Sequence, residues 1–195
     1  MEATAAAATP PETQVAHYAA VAREIPVMVV TASLAPRSQT FRLDLVRRLY
    51  EQVPEVVAIK DDVGDEFGRR MSAMVQDRWA VLGGGAKQMH LYLAPYGCRG
   101  HLSTLIVHKP DIAHRYWKAV TAGDYDTAGQ IVRQYDMPMF DVLTPLPGSF
   151  DAGMHAWAEL NGICGRWRRS PYYNMTDAEV ESFAAALDKI GLLER

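Results

Sequence analysis

The chain has 195 residues, of which 49% are hydrophobic and 22% are charged, a composition typical of one ordinary globular domain. Its net charge of −3 argues against a nucleic-acid or membrane surface, and no apolar run approaches the roughly 20 residues of a membrane span. Cys98 and Cys164 lack the spacing of a zinc site, so they predict free thiols in a reducing, cytoplasmic compartment. Residues 1–9 lack a basic segment, and we do not expect a signal peptide there.

Apolar periodicity and turn residues predict helices that alternate with strands along the first two thirds of the chain. The predicted helices are 12–24, 40–52, 65–76, 86–94 and 110–123, and the predicted strands are 26–31, 56–60, 79–82 and 100–106. Three further helices, 124–144, 150–163 and 176–190, follow without strands, and the last begins with the capping-box pair Thr176 and Glu179. This alternation with short links predicts parallel strands joined by right-handed crossovers.

The second predicted strand, Val56-Val57-Ala58-Ile59, runs directly into Lys60, two acids and a glycine turn. A short continuous apolar run is typical of a buried parallel strand, and α/β proteins place their chemistry at the carboxyl ends of such strands. A lysine among apolar residues loses hydration, which lowers its pKa and favours the neutral amine that attacks carbonyl groups. The alternative interpretation is that Lys60 only opens a solvated turn.

Four strands do not close a (β/α)8 barrel, which needs eight strands. The chain is therefore either an open α/β sheet or the C-terminal part of a barrel. At this point the order of four motifs becomes informative: Ile25-Pro26-Val27-Met28-Val29, Val57-Ala58-Ile59-Lys60-Asp61, Val81-Leu82-Gly83-Gly84 and Gly97-Cys98-Arg99-Gly100-His101-Leu102-Ser103. In this order and spacing, over about residues 9–193, they resemble strands five to eight of the dihydrodipicolinate synthase / N-acetylneuraminate lyase family of class I aldolases.

The resemblance implies a partial (β/α)8 TIM barrel at residues 1–123, with a C-terminal helical region at 124–195 packed on it. It implies a lyase that needs no cofactor, whose catalytic Lys60 forms a Schiff base with pyruvate or another 2-oxo acid. The substrate-binding positions that it implies are Thr31, Arg37, Gly84 and Leu102, with Arg37 attracting the carboxylate and the last two supplying backbone contacts. Family habit also implies a homo-oligomer, and the net charge gives no reason to expect a nucleic-acid or membrane partner.

Two departures from the family pattern keep a second hypothesis open. The family's first three strands have no counterpart here, and its fifth strand usually ends in Tyr-Asn, where this chain has Val30-Thr31. Valine cannot transfer a proton, and a threonine hydroxyl is too weakly acidic to replace a tyrosine. The alternative is thus a truncated or degenerate, non-catalytic family member that acts in assembly, because a half-barrel would expose sheet edges and apolar faces.

The remaining polar motifs are interpreted structurally. Gly83–Gly85 could cradle a phosphate, but a plain loop is the favoured interpretation. The six histidines show no metal-binding spacing, so we expect no metal site. Asp61, Asp62, Asp65 and Glu66 are expected to flank a helix N-terminus. The basic clusters at residues 47–48 and 166–169 are expected to be solvated or to pair with carboxylates.

Overall fold

The computed structural model describes residues 9–193, so the expectation about a signal peptide falls almost entirely outside the described residues. The chain divides into two compact units, one that ends at Leu102 and one that begins at Ser103. Helix 110–123 thus falls in the second unit, whereas the predicted domains divide the chain after residue 123. The predicted domain division remains a prediction.

The first unit is built on a four-stranded parallel sheet with the strands in sequence order. The strands are β1 (Val27–Val30), β2 (Val56–Asp61), β3 (Ala80–Gly83) and β4 (Cys98–His101). The helices between and before them are α1 (Pro11–Ala22), α2 (Gln39–Gln52), α3 (Asp65–Val75) and α4 (Lys87–Leu93), with single 3-10 turns at Ala32–Leu34 and Ala94–Tyr96. Parallel strands in an α/β fold, as predicted, are confirmed.

One face of this sheet forms the core of the first unit. Val29, Ile59 and Val81 are at most 1% exposed and pack with apolar side chains of the helices, among them Leu45, Leu49, Phe67, Met71 and Trp79. Met28 and Val30, on the opposite face of β1, remain 39% exposed. The apolar runs predict buried strands. Side chains alternate between the two faces of a strand, and the apolar residues of α1 to α4 pack against the face that carries Val29, Ile59 and Val81.

The second unit contains the remaining helices. They are α5 (Leu105–His108), α6 (Pro110–Thr121), α7 (Tyr125–Ile131), α8 (Met137–Leu143), α9 (Ser149–Leu160) and α10 (Asp177–Lys189), and a π-helical segment, Val132–Asp136, connects α7 to α8. The His108 ring stacks on Trp157 with 4.1 Å between the ring centroids. Arg166 forms ion pairs with Glu159 and Asp177. The carboxylate partners expected for this basic cluster are therefore present.

The predicted element ends agree with the structure within about three residues, with β4 as the exception. The sequence predicts this strand at 100–106, but the strand is Cys98–His101 and the apolar residues beyond it form α5. Only Leu105 of that apolar run is fully buried, while Ile106 and Val107 are exposed. Short apolar runs do not distinguish strands from helices, which explains the error. Among the helices described in residues 9–193, none is long and apolar enough to span a membrane.

Candidate active site

Lys60 lies one residue before the end of β2, in a row with aliphatic neighbours. The strand register pairs it with Val30 on β1 and Leu82 on β3. Its side chain is 21% exposed, and its Nζ lies 2.7 Å from Oδ1 and 3.0 Å from Oδ2 of Asp62. Both carboxylate oxygens of Asp62 thus contact one half-buried ammonium group at the carboxyl edge of the sheet.

Asp61 holds the turn that follows Lys60. Its carboxylate is completely buried and accepts hydrogen bonds from the Val63 and Gly64 amides at 3.0 to 3.2 Å. It also accepts a 3.1 Å bond from the Thr31 hydroxyl. A buried carboxylate is stable only when hydrogen bonds replace its hydration. Asp61 is therefore a structural acid of the turn, and Gly64 supplies the positive φ of 73° with which α3 begins.

Thr31 connects the ends of β1 and β2. It is completely buried, its amide donates to the Lys60 carbonyl at 3.1 Å, and its hydroxyl oxygen accepts from the Asp62 amide at 2.8 Å. With the bond to Asp61, the Thr31 hydroxyl donates one hydrogen bond and accepts another. Thr31 thus fixes the backbone that carries Lys60 and Asp62, and the substrate contact expected of it remains a prediction.

Gly84 and Leu102 extend the network across the sheet edge. The Gly84 amide donates to the Asp61 carbonyl at 2.7 Å, and the Leu102 amide donates to the Gly83 carbonyl at 3.1 Å. A Cβ added at Gly84 would lie 2.5 Å from Asp62 Oδ1, so the absence of a side chain there makes room for the carboxylate. The Gly84 amide thus holds the loop after β3 against the end of β2, and the substrate contacts expected of Gly84 and Leu102 remain predictions.

Arg37 lies between the 3-10 turn after β1 and the start of α2. Its guanidinium carbon lies 3.5 Å from the centre of the Phe41 ring, a cation–π contact. Its amide donates to the Leu34 carbonyl at 2.9 Å. The hydrogen bonds described above connect the segments that carry Lys60, Thr31, Gly84 and Leu102. The contacts of Arg37 with Leu34 and Phe41 lie instead near the start of α2.

The sequence interpretation missed the pairing of Asp62 with Lys60. Asp65 and Glu66 do lie in the first turn of α3, as expected for acids at a helix N-terminus. Asp61 instead ends β2, and Asp62 turns its carboxylate to the lysine. Residues two apart on an extended chain point to the same side, so the spacing Lys60-x-Asp62 was the available signal.

A second polar cluster lies one row further along the sheet edge. His101 pairs in register with Gly83, so it points to the face opposite Lys60, and its ring stacks on His90 with 5.0 Å between centroids. Burial lowers the pKa of His101 to about 3, with a further contribution from the nearby Lys87, and burial also lowers the pKa of His90. Both imidazoles are therefore neutral at pH 7. Across residues 9–193, no three His, Cys, Asp or Glu side chains are grouped to hold a metal ion.

Comparison with known proteins identifies a family model and curated relatives that the chain is similar to. The family model of the dihydrodipicolinate synthetase family matches residues 8–190. Curated relatives from Variovorax paradoxus and Pseudomonas putida, each named probable 5-dehydro-4-deoxyglucarate dehydratase, are 29% and 28% identical over 182 residues. These alignments cover 90% of this chain and 58% of each relative, so the chain spans less than two thirds of their length.

Solved structures agree on the fold. Dihydrodipicolinate synthase from Aquifex aeolicus superposes with a TM-score of 0.79 at 19% identity, covering 96% of this chain and 64% of that one. The enzyme from Thermotoga maritima gives a TM-score of 0.78 at 18% identity, with 95% and 63% covered. At such identities the likeness concerns the fold.

Proposed function

The chain belongs to the dihydrodipicolinate synthetase family, and we propose on this basis that it is a lyase in which Lys60 forms a Schiff base with a 2-oxo acid. The observation that carries the proposal is the position of Lys60. It is a half-buried lysine at the carboxyl end of a central parallel strand, between the aliphatic residues Val30 and Leu82. A lysine amine in such surroundings can attack a carbonyl carbon, and the resulting iminium withdraws electrons from the neighbouring carbon atoms.

The names of the curated relatives narrow the proposed reaction. 5-Dehydro-4-deoxyglucarate is a six-carbon diacid whose keto group lies beside a carboxylate, which makes it a 2-oxo acid, and those relatives are named dehydratases. We therefore favour carbon–oxygen bond cleavage over carbon–carbon cleavage for this chain. Arg37 is proposed to attract the substrate carboxylate, and Thr31, Gly84 and Leu102 are proposed to line the binding position around Lys60.

The architecture proposed for this activity is the strand five to eight portion of a (β/α)8 barrel, followed by a helical region at residues 124–195. The four strands in sequence order and the exposed face that carries Val30 are compatible with such a portion. We also propose a homo-oligomer, by analogy with the family, and a cytoplasmic location. The location is in keeping with the free thiols of Cys98 and Cys164.

A second candidate function is assembly without catalysis. It is favoured by the partly exposed apolar side chains of Met28, Val30 and Val57 in the sheet, which an additional chain segment or subunit would cover. Under this alternative Lys60 would be retained only as the partner of Asp62. The two functions differ in one observable, the formation of a covalent adduct on Lys60.

Schiff-base trapping tests the proposal. The purified chain is incubated with pyruvate and a panel of 2-oxo diacids and is reduced with borohydride, and the adduct is located by mass spectrometry of peptides. We expect an adduct on Lys60 that is lost in Lys60→Ala. The matched control is Lys118→Ala, which removes an exposed lysine of α6 and should leave the adduct unchanged. A folded wild-type protein that gives no adduct would support assembly alone.

A further inference from the structure

We propose that Asp62 is a catalytic residue, the group that moves protons to and from the Schiff base formed by Lys60. This inference rests on the proposed function. Its geometric basis is the contact of both Asp62 oxygens with Lys60 Nζ, at 2.7 Å and 3.0 Å. These distances lie within the range across which a general acid or base transfers a proton.

The position of Asp62 is held by its surroundings. Its amide donates to the buried hydroxyl of Thr31, and its carboxylate occupies the space that Gly84 leaves by having no side chain. The Asp62 side chain is 20% exposed, close to the 21% of Lys60, so both groups keep access to solvent and to a small ligand. Asp61 cannot take this role, because its carboxylate is completely buried and binds Thr31 and the turn amides.

During formation of the Schiff base, Asp62 is the one side chain that takes up a proton and returns it. The Lys60 ammonium gives one proton to Asp62, and the lone pair of the resulting amine adds to the carbonyl carbon of the 2-oxo acid. The carbonyl π electrons move to oxygen, which takes a second proton from nitrogen. The nitrogen lone pair then expels this hydroxyl group, which leaves as water with the proton from Asp62. The iminium nitrogen keeps one proton and faces the Asp62 carboxylate.

The same carboxylate can then act as a base on carbon. In an iminium, the carbon next to the former carbonyl carbon lies about 2.5 Å from nitrogen, which is within reach of an oxygen that contacts that nitrogen. Asp62 takes a proton from this carbon, the C–H electrons form a carbon–carbon double bond, and the C=N π electrons move to nitrogen. The product is a neutral enamine. Return of the proton to carbon regenerates the iminium, whereas a hydroxyl group on the next carbon leaves as water with the Asp62 proton while the nitrogen lone pair forms a conjugated iminium. Addition of water to either iminium, the reverse of the steps above, then releases the keto acid and regenerates Lys60.

Proton exchange on pyruvate separates this role from Schiff-base formation. In D₂O, enamine formation replaces the methyl protons of pyruvate by deuterium, which proton NMR measures directly. We expect Asp62→Asn to slow the exchange by about 100-fold or more, the range of general-base contributions. The borohydride adduct on Lys60, measured after the Schiff base has reached equilibrium, should change by a much smaller factor, because a lost proton carrier slows formation and hydrolysis alike. Asp65→Asn is the matched control, because it removes an exposed carboxylate three residues away and should leave the exchange unchanged.

A second variant tests the carboxylate itself. Asp62→Ala opens a space at the lysine, so added formate should restore much of the lost exchange, whereas Asp62→Asn fills the space and should gain little. Exchange in Asp62→Asn within about threefold of wild type would overturn the proposal. Equal loss of adduct and exchange without formate rescue would assign Asp62 to positioning of Lys60 and would also overturn it. A wild-type protein that forms no adduct would remove the proposed function and this inference together.

Discussion

Gly84 lies so close to Asp61 and Asp62 that a side chain at this position would collide with them. A Cβ at this position would lie 2.5 Å from Asp62 Oδ1 and 3.0 Å from the Asp61 carbonyl oxygen. Real Cβ atoms essentially never come within 3.0 Å of another heavy atom, so the contact with Asp62 cannot form as it stands. The carboxylate of Asp62 must therefore move if residue 84 carries a side chain, and the contact between Asp62 and Lys60 depends on this glycine.

We therefore predict that Gly84→Ala slows the deuterium exchange of pyruvate by about 10-fold or more, since a displaced base loses its alignment with the reacting carbon. Proton NMR in D₂O measures the rate, and circular dichroism verifies the fold. The control is Gly165→Ala, because a Cβ there would meet Trp167 at an ordinary 3.4 Å. Unchanged exchange in Gly84→Ala would contradict the role given to the Asp62 position.

At the scale of elements, capping residues mark the starts of two helices, whereas the ends of β4 have no such local signal. The Thr176 and Glu179 pattern predicts the start of α10, and the structure contains the complete capping box. Ser38 likewise accepts a hydrogen bond from the Phe41 amide at the start of α2. β4 shows the contrast, because its limits depend on pairing with β3 and not on its own residues.

Thr176→Ala should lower the free energy of unfolding by about 1 kcal/mol, because the amide of Glu179 loses its side-chain acceptor. Urea denaturation followed by circular dichroism measures the change. Ser182→Ala is the control within the same helix, since the exposed Ser182 hydroxyl donates to the carbonyl of Ala178 one turn earlier, and it should stay within about 0.5 kcal/mol of wild type. Equal effects of the two substitutions would mean that the capping box does not stabilise α10.

At the scale of the whole molecule, buried histidines couple stability to pH. Burial lowers the pKa of His108 to about 4 and, with Lys87 nearby, that of His101 to about 3, from an ordinary value of 6.5. The unfolded chain therefore binds protons at a higher pH than the folded chain. This stabilisation is present above pH 6.5 and is lost as the pH falls toward the folded values.

For His108 alone, the loss between pH 6.5 and pH 4 should reach at most about 3 kcal/mol. His108→Phe keeps a ring against Trp157 but cannot take up a proton. We expect its free energy of unfolding to fall less over this pH range than that of wild type, as measured by urea titrations at both pH values. His17→Phe, at an exposed position, is the control. The same pH dependence in wild type and His108→Phe would contradict the prediction.

The order of helices and strands, their parallel arrangement, the capping box of α10 and the position of Lys60 at a strand end could all be predicted from the sequence. The helices, the strands and the capping box depend on residues within a few positions, where periodicity and capping act, and the parallel arrangement follows from the alternation of helices and strands. Membership of the family followed from the same ordered motifs around Lys60.

Only the tertiary structure decided the ends of β4, the exposure of one sheet face and the contacts around Lys60. Thr31 reaches Asp61 and Asp62 across 30 residues because β1 and β2 are paired in a particular register. Gly84 makes room for Asp62 because β3 lies beside β2. Such contacts depend on which segments become neighbours, and the local pattern of side chains carries little information about that choice.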